Sequence, residues 1–232
     1  MIKEQQIMTR TASGKLLNLN DIQEDDIEIQ DIAHALARQC RFGGHVNNVE
    51  IYSVAEHLVL CSDLMKKLVQ YEDFDFELGI DTADNLDFYR AVMSALLHDA
   101  AECYLTDVIT PVKKYLEEYM VMEEYVQQQV EKIIEQKTGF DLFISSMPEK
   151  NNGVWIVDKL ALCIEARFLT CDPEEELKNT YLPQLPDYAA DIYHQCIYDP
   201  ETVKGLLPSK AQEEFLNTYE YYKHQMIKLG NR

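Results

Sequence analysis

Four ionisable side chains interrupt an otherwise apolar, helix-like run of the chain. His98 and Asp99 are adjacent, Glu102 follows them, and Asp107 comes five residues later. The preceding stretch, RAVMSALL, has the composition of a core segment, so an imidazole and a carboxylate that point inward from it need a compensating charge. A divalent cation supplies that charge, and histidine nitrogen with aspartate oxygen suits Mn, Co, Zn, Fe or Ni. This stretch therefore indicates a metal site, although a hydrogen-bonded pair is the commoner explanation of an isolated His-Asp dipeptide.

Two further residues of ligand type stand in apolar helical patterns. Asp158 falls on an apolar stripe, where a carboxylate needs either a cation or the free backbone N–H groups of a helix start. His57 flanks the apolar face of a strongly amphipathic helix and, taken alone, fits a hydrogen-bonded core histidine better than a ligand. Glu102 follows His98 by four residues and is expected on the same helix face.

The elements around these residues predict a nearly all-α protein with one short β-hairpin. Residues 8–19 alternate and predict the hairpin, and 20–27 read as an acidic linker. Helical periodicity covers the stretch from Asp31 to Gly43-Gly44, residues 50–69, 89–105 and 112–137, the segments VWIVDKLALCIEARFLT and YAADIYHQCIY, and residues 209–229. The acidic, aperiodic segment 71–88 is predicted to be a surface loop, and 172–187 a connection.

Composition and charge narrow the classes of function. The chain has 232 residues, of which 47% are apolar, enough for a substantial core. Its formal net charge of −20 repels a nucleic-acid polymer, but local cations or a metal can still hold a small phosphate ester. The chain lacks both a long apolar run and a secretion signal, and its six scattered cysteines form no Cys-x-x-Cys pair. We therefore expect a cytoplasmic protein with reduced thiols and no membrane span.

The order of the candidate ligands and the stretches around them resemble the HD superfamily of metal-dependent phosphohydrolases. The stretches that carry the resemblance are CRFGGH at 40–45, YSVAEH at 52–57, LLHDAAECYLTDVITPVK at 96–113 and VDKLALCIEAR at 157–167. The chain is most similar to the small bacterial and phage 5′-deoxynucleotidases and deoxynucleotide triphosphohydrolases. This implies an all-α HD-domain helical bundle with a short N-terminal β-hairpin. The expected single domain comprises a hairpin arm at 1–30, an HD core at 31–170 and a C-terminal helical extension at 171–232.

The resemblance also implies a metal site and its ligands. One divalent ion would be held by His57, His98, Asp99 and Asp158, and its identity stays open among Mn, Co, Zn, Fe, Ni and Mg. Such an ion makes a hydroxide available near neutral pH by lowering the pKa of a bound water.

Three other residues match positions near the metal or the substrate, and two more are candidates for substrate contacts. Glu102 and Asp107 match the acids that move protons or position water, although Asp107 is equally suited to cap the following helix. Arg41 matches the arginine that binds phosphate upstream of the first histidine, with a surface ion pair as the alternative. Lys113 and His45 are further candidates for substrate contacts. A solvated lysine and a hairpin contact are the respective alternatives.

The positions of the histidines exclude several of the reactions that HD-superfamily proteins catalyse. Residues 100–157 contain no histidine, whereas the oxygenases and dinuclear phosphodiesterases of the superfamily need additional ones. Cys103 follows Glu102, where alarmone hydrolases have an aspartate. We predict hydrolysis of a deoxynucleoside 5′-monophosphate to the deoxynucleoside and phosphate. The alternatives are a dNTP triphosphohydrolase, selective for dATP as in some phage relatives, and a non-catalytic nucleotide-binding protein.

The expected partners follow from the same prediction. The substrate is a small nucleotide, and neither a nucleic-acid polymer nor a membrane is expected to bind. A homodimer or higher homo-oligomer is compatible with the pattern. A phage-encoded chain would work in the host cytoplasm.

Overall fold

Helices account for most of the computed structural model, which describes residues 6–71, 85–142, 152–170 and 179–230. The helices are α1 Ile29–Leu36, α2 Val54–Leu68, α3 Asn85–Leu97, α4 Glu102–Leu105, α5 Thr110–Lys113, α6 Glu117–Thr138, α7 Gly153–Leu169, α8 Asp187–Cys196 and α9 Pro208–Gly230. Strands β1 Met8–Arg10 and β2 Leu16–Asn18 form an antiparallel hairpin with Thr9 opposite Leu17. The prediction of an all-α fold with a short N-terminal hairpin is confirmed.

Helix α2 lies at the centre of the fold, where it packs against α3, α7, α8 and α9. Its start is determined by a capping box. Ser53 Oγ accepts a hydrogen bond from the Glu56 N–H at 3.3 Å, and Glu56 Oε2 accepts one from the Ser53 N–H at 3.1 Å. Two backbone donors that the helix leaves free are thereby satisfied. The box fixes the first turn of α2 and with it the position of His57.

The helix predicted at 89–105 is two helices in the structure. Helix α3 begins at Asn85, inside the segment predicted as a loop, and ends at Leu97, while α4 begins at Glu102. Residues 72–84 of that predicted loop lie outside the described residues. Between the helices the chain makes a turn, in which the Glu102 N–H donates to the Asp99 carbonyl at 3.1 Å. Periodicity misses the break because alanines at 100 and 101 continue the apolar pattern and are buried.

Two other predicted helices are also shorter than expected. Helix α1 ends at Leu36 instead of continuing to Gly43-Gly44, because the chain turns and then enters a short 3-10 helix, Arg41–Gly44. The helix predicted at 112–137 is divided into α5 and α6 by residues 114–116. Pro111 occupies the first turn of α5, a position where its missing N–H costs nothing.

The hairpin is held to α1 by Asp31. This buried carboxylate accepts hydrogen bonds from the Ser13 N–H at 2.8 Å and from the Ser13 hydroxyl at 2.7 Å. The segment 20–27, predicted as a linker, instead packs onto the core through Ile22 and Ile27, which are buried. Lys137 of α6 donates to the Ile27 carbonyl at 2.6 Å. The N-terminal arm is thus part of the core's surface layer.

Helix α9 covers the outer side of α2 and α3. It also packs against α1, and its Phe215, Tyr219 and Met226 are buried. In the segment before α9, Gly205 packs closely against Val49. Its φ is +68°, and a Cβ atom at this position would lie 2.4 Å from the Val49 side chain. Only glycine fits both conditions without strain.

Two expectations about the whole chain concern cysteines and membranes. The cysteines in the described residues are free thiols, and Cys171 lies outside those residues. Among the helices that the structure describes, none combines the length and the apolar character needed to cross a bilayer.

The hydrogen bonds from Ser13 to the Asp31 carboxylate predict a contribution to stability that depends on pH. Burial raises the pKa of Asp31, but hydrogen bonds from Ser13 and Thr11 and the charge of Lys15 outweigh it and lower the pKa below 3.8. Because the folded-state pKa is lower than the unfolded one, the stabilisation is present above about pH 4 and is lost as the pH falls further. Asp31→Asn should lower the free energy of unfolding by about 1–2 kcal/mol near neutral pH.

Urea denaturation of the wild type and of Asp31→Asn at neutral and acidic pH measures this difference. Asp25→Asn is the matched control because it changes an exposed acid of the same arm. Its free energy of unfolding should equal that of the wild type. If the difference in free energy of unfolding between the wild type and Asp31→Asn stays constant down to the lowest pH, the ionised Asp31 does not stabilise the hairpin.

Candidate active site

The structure brings the four predicted metal ligands together from three places in the chain. His57 lies on α2, His98 and Asp99 in the turn after α3, and Asp158 on α7. His57 Nε2 is 3.5 Å from Asp158 Oδ1 and 3.9 Å from Asp99 Oδ2, and His98 Nε2 is 3.4 Å from Asp99 Oδ2. The convergence is therefore observed, while metal binding by these residues stays a prediction.

One buried nitrogen in this cluster fits a cation. His98 Nδ1 lies 2.8 Å from the Ala95 carbonyl, to which it can donate, and Nε2 is buried without a hydrogen-bond partner. A neutral imidazole that donates from Nδ1 presents a lone pair at Nε2. Ligands placed about 2.0–2.1 Å from a four-coordinate ion are about 3.4 Å apart. The nitrogen-to-oxygen distances of 3.4 and 3.5 Å agree with that spacing, so the residues present fit a divalent metal.

The charges around His57 also favour a cation. Burial and the nearby charge of Arg41 both lower the pKa of His57. Cys61, Glu165 and Asp158 raise it, and their combined effect is larger, so the pKa lies well above 6.5. The acidic groups around His57 therefore outweigh the nearby positive charge of Arg41. A divalent ion would neutralise their negative charge more completely than a proton does.

Glu165 holds the His57 ring in place and was not singled out from the sequence. It is fully buried on α7, and its Oε1 atom lies 2.6 Å from His57 Nδ1 and 3.1 Å from the Tyr52 hydroxyl. A carboxylate in this position fixes the orientation of a metal-binding histidine and increases its basicity. Donation from Nδ1 leaves Nε2 of His57 to face the two aspartates.

The second oxygen of Glu165 faces Arg41. Oε2 lies 3.4 Å from the guanidinium group, and the Arg41 side chain is only 13% exposed. Burial raises the pKa of Glu165, but His57 and Arg41 outweigh it and lower the pKa to about 2. Glu165 is therefore an anion shared by a candidate metal ligand and the candidate phosphate-binding arginine. A sequence signal for it exists, since Glu165 follows Asp158 by two helical turns in an apolar helix.

Backbone pairing positions Arg41 beside the start of α2. The Arg41 N–H donates to the Tyr52 carbonyl at 2.9 Å. The next two residues, Phe42 and Gly43, have left-handed φ values of 56° and 60°, so the chain reverses immediately after the arginine. Burial lowers the pKa of Arg41, but Glu165 and the surrounding aspartates raise it, so the group is a permanent cation. Its Nε atom is buried without a hydrogen-bond partner.

Glu102 reaches the cluster for a reason other than helix periodicity. The expectation that Glu102 shares a helix face with His98 is wrong, because α3 ends before His98 and Glu102 starts α4. Both residues nevertheless line one cleft of about 690 Å³ together with Asp99. Burial, and then the charges of Asp99 and Asp107, raise the pKa of Glu102 to about 9. Its Oε2 atom is buried and has no hydrogen-bond partner.

Gln39, two residues before Arg41, connects to the segment from Glu102 to Asp107 through two hydrogen bonds. Gln39 Nε2 donates to the Glu102 carbonyl at 2.8 Å, and Gln39 Oε1 accepts from the Asp107 N–H at 3.0 Å. Asp107 does not cap α5, whose N-cap residue is Ile109 and has no side-chain hydrogen bond. Burial, the largest effect, raises the pKa of Asp107.

A second cleft, of about 440 Å³, contains the candidate substrate residues upstream of α2. Arg41, the exposed His45 and Asp107 line it, and Tyr181 forms part of its wall. Lys114 lines both clefts, so the two lie side by side. The structure therefore brings Arg41, His45 and Asp107 together on one side and His98, Asp99 and Glu102 on the other.

Two lysines near the cluster are paired with acids. Lys113 Nζ lies 3.3 Å from Glu102 Oε1 and 2.8 Å from Glu123 Oε1, so any phosphate must compete with two carboxylates for it. Lys159, which the sequence did not single out, lies 2.6 Å from Asp158 Oδ2. Burial opposes the charged form of Asp158, but Lys159 and the histidines lower its pKa well below 3.8.

The helical fold and the His-Asp cluster define a protein of the HD superfamily type. A family model described as "5′-deoxynucleotidase YfbR-like" matches residues 43–180, which include all four candidate ligands. The chain is 32% identical over 201 residues to "Uncharacterized protein YfdR" of Escherichia coli (strain K12), covering 82% of this chain and 93% of that protein. It is 41% identical over 104 residues to "Uncharacterized protein RCAP_rcc00048" of Rhodobacter capsulatus, covering 45% of each. The chain belongs to the YfbR-like 5′-deoxynucleotidase family of the HD superfamily.

Family membership confirms the resemblance found in the motifs. It supports a hydrolase that acts on nucleotides and uses a divalent metal. Arg41 lies just before the matched range, so its role depends on the geometry described above.

Replacement of Glu165 tests the support of His57. Glu165→Gln keeps the shape of the side chain but removes the charge that orients the imidazole, so affinity for Zn²⁺ or Co²⁺ should fall by about 10–100-fold. Competition titration against a chromogenic chelator measures the affinity. Glu131→Gln, which changes a buried glutamate of α6, should bind like the wild type. Equal metal affinities in Glu165→Gln and the wild type would show that Glu165 does not support the site.

Proposed function

We propose that the protein hydrolyses deoxynucleoside 5′-monophosphates to the deoxynucleoside and inorganic phosphate. The observation that carries this proposal is the convergence of four side chains whose nitrogen-to-oxygen contacts are 3.9 Å or shorter: His57, His98, Asp99 and Asp158. Arg41 is joined to His57 through the buried Glu165. Those four side chains would hold one divalent ion, whose Lewis acidity makes water a nucleophile near neutral pH.

Arg41 is suited to bind the phosphate. Its guanidinium is a permanent cation and presents planar donors that match phosphoryl oxygens. Glu165 holds the group in place before the substrate arrives, which lowers the entropy lost on binding.

Glu102 and Asp107 are suited to move protons on the two sides of the phosphate. Glu102 lines the same cleft as His98 and Asp99, and its buried Oε2 atom has no competing hydrogen-bond partner, so the carboxyl group can exchange a proton with the attacking water. Asp107 lines the cleft of Arg41, where burial favours its protonated form, and it can protonate the leaving 5′-oxygen.

The supply of cations favours a monophosphate over a triphosphate. Among the described residues that line the two clefts, the lysines and arginines are Arg41, Lys113 and Lys114. Lys113 is already paired with two acids, and the whole chain carries a formal charge of −20. A triphosphate would bring more negative charge into this surrounding than a monophosphate does.

Product analysis tests the reaction. The wild type is incubated with dNMPs, NMPs and dNTPs in the presence of Mn²⁺, Co²⁺, Zn²⁺, Ni²⁺, Fe²⁺ or Mg²⁺, and products are separated by chromatography with phosphate detection. We expect inorganic phosphate from dNMPs and loss of activity in His98→Ala. His194→Ala, which changes an exposed histidine of α8, should keep full activity. Triphosphate released from dNTPs would replace the proposal by a triphosphohydrolase, and no turnover with any ion would leave a nucleotide-binding protein.

Two variants separate metal binding from proton transfer. Asp158→Ala should lose the metal, whereas Glu102→Gln should retain the metal and lower kcat by about 100–10,000-fold. Metal content after gel filtration and steady-state kinetics measure the two effects. Glu124→Gln changes an exposed acid of the same cleft and serves as the control for kcat. A Glu102→Gln enzyme with a normal rate would remove Glu102 from the mechanism.

A further inference from the structure

Thr106, the residue before Asp107, has a backbone conformation that side chains disfavour. Its φ and ψ are 74° and 152°, a combination that is essentially restricted to glycine. A β-branched residue with such angles is an outlier, and it persists only where the surrounding contacts outweigh the strain. Thr106 is exposed, so burial of its side chain does not explain the conformation. The contacts that hold it are therefore those of its backbone.

Hydrogen bonds fix the peptide groups on both sides of Thr106. The Thr106 N–H donates to the Glu102 carbonyl at 2.7 Å, and the Thr106 carbonyl accepts from the Tyr119 hydroxyl at 2.5 Å. The Asp107 N–H donates to Gln39 Oε1 at 3.0 Å. The Thr106 carbonyl and the Asp107 N–H belong to one planar peptide group. Tyr119 and Gln39 therefore hold the two edges of the peptide that leads into Asp107.

The contacts of Tyr119 on α6 suit it to donate this hydrogen bond. Its hydroxyl also lies 3.2 Å from Glu123 Oε1, and Lys113 Nζ lies 2.8 Å from that same oxygen. Burial, and then the charge of Glu123, raise the pKa of Tyr119 above its usual value of 10, so the phenol keeps its proton near neutral pH. Lys113 also reaches Glu102 Oε1 at 3.3 Å. The polar groups around Tyr119 thus contact both ends of the segment from Glu102 to Asp107.

We propose that Tyr119 is a positioning residue, which holds the strained Thr106 peptide and thereby aims the Asp107 carboxyl group at the leaving 5′-oxygen. Without the Tyr119 hydroxyl, Thr106 can relax to a negative φ, and rotation of the peptide moves Asp107. In the reaction the bond from phosphorus to the 5′-oxygen breaks, and the Asp107 proton goes to that oxygen. The role of Asp107 rests on the proposed function, whereas the strained peptide and its hydrogen bonds are observed.

The stability of two variants at position 106 tests the strain. Where the backbone angles are ordinary, alanine is more stabilising than glycine. At Thr106 the order should reverse, because glycine adopts the positive φ freely and alanine does not. Urea denaturation of Thr106→Gly and Thr106→Ala measures the order, and the same pair at the exposed Gln128 of α6 should show the ordinary one. An alanine variant that is more stable than the glycine variant at Thr106 would overturn the proposal.

Hydrogen exchange of the Asp107 amide tests whether Tyr119 holds the peptide. The exchange rate of an amide reports how often its surroundings open. Tyr119→Phe should raise the rate of the Asp107 amide, followed by nuclear magnetic resonance, by about tenfold or more. Tyr115→Phe changes a tyrosine that is 87% exposed and should leave the rate unchanged. Equal rates in the wild type and Tyr119→Phe would show that the hydroxyl does not hold the peptide.

Kinetics of dNMP hydrolysis test the positioning of Asp107. Tyr119→Phe should lower kcat by about tenfold and change KM by less than about twofold, because Arg41 and the candidate metal ligands are untouched. In a Thr106→Gly background the same replacement should cost less, because glycine keeps the positive φ without strain. An equal fold-loss of kcat in the two backgrounds would contradict a role that acts through Thr106.

The outcomes separate this inference from the hydrolase proposal. A wild type that releases no phosphate from dNMPs refutes the hydrolase, and the exchange and stability measurements still decide whether Tyr119 holds a strained peptide. A wild type that hydrolyses dNMPs while Tyr119→Phe keeps a normal kcat upholds the hydrolase and overturns the positioning role.

Discussion

The burial of one carboxylate, that of Glu165, is the constraint on which the arrangement of the site depends. A charge removed from water is costly unless several donors surround it. Here the donors are the His57 ring, the Tyr52 hydroxyl and the Arg41 guanidinium, which come from α2 and the segment before it. Because each of them is needed to satisfy the acid, none can move alone. The distance between the His57 imidazole and the Arg41 guanidinium is therefore determined by the position of Glu165 on α7.

The chemistry of the site was readable from residue types, but its supporting contacts were not. His57, His98, Asp99 and Asp158 were predicted together because a family pattern links ligands that lie far apart in the chain. The helical spacing of Glu165 from Asp158 is a weaker signal than a family pattern, and Gln39 carries none. Their partners are distant in sequence, and an acid or an amide in a helical segment looks the same whether it faces water or a buried imidazole. Burial and pairing decide the role of such residues, and both arise only when the helices pack.

The boundaries of the helices show the same limit. The periodicity of apolar residues predicted the buried faces of the helices, and it placed α2, α7 and α9 close to their observed positions. It failed between Leu97 and Glu102, where buried alanines continue the apolar pattern across a turn. That turn carries His98 and Asp99, so the periodic pattern and the structure disagree at the place where two candidate ligands lie. The left-handed residue Phe42, at the end of the predicted first helix, is a second example next to Arg41.

The position of α9 in the chain has a consequence for biosynthesis. This helix contributes none of the four candidate metal ligands, yet it covers α2 and α3, and it is translated after all four of them. While the ribosome is still producing the segment that precedes α9, the outer apolar sides of α2 and α3 remain exposed to water. Nascent chains in that condition are prone to aggregate or to engage chaperones. The packing around the candidate site is thus completed by a helix that is synthesised after all four candidate ligands.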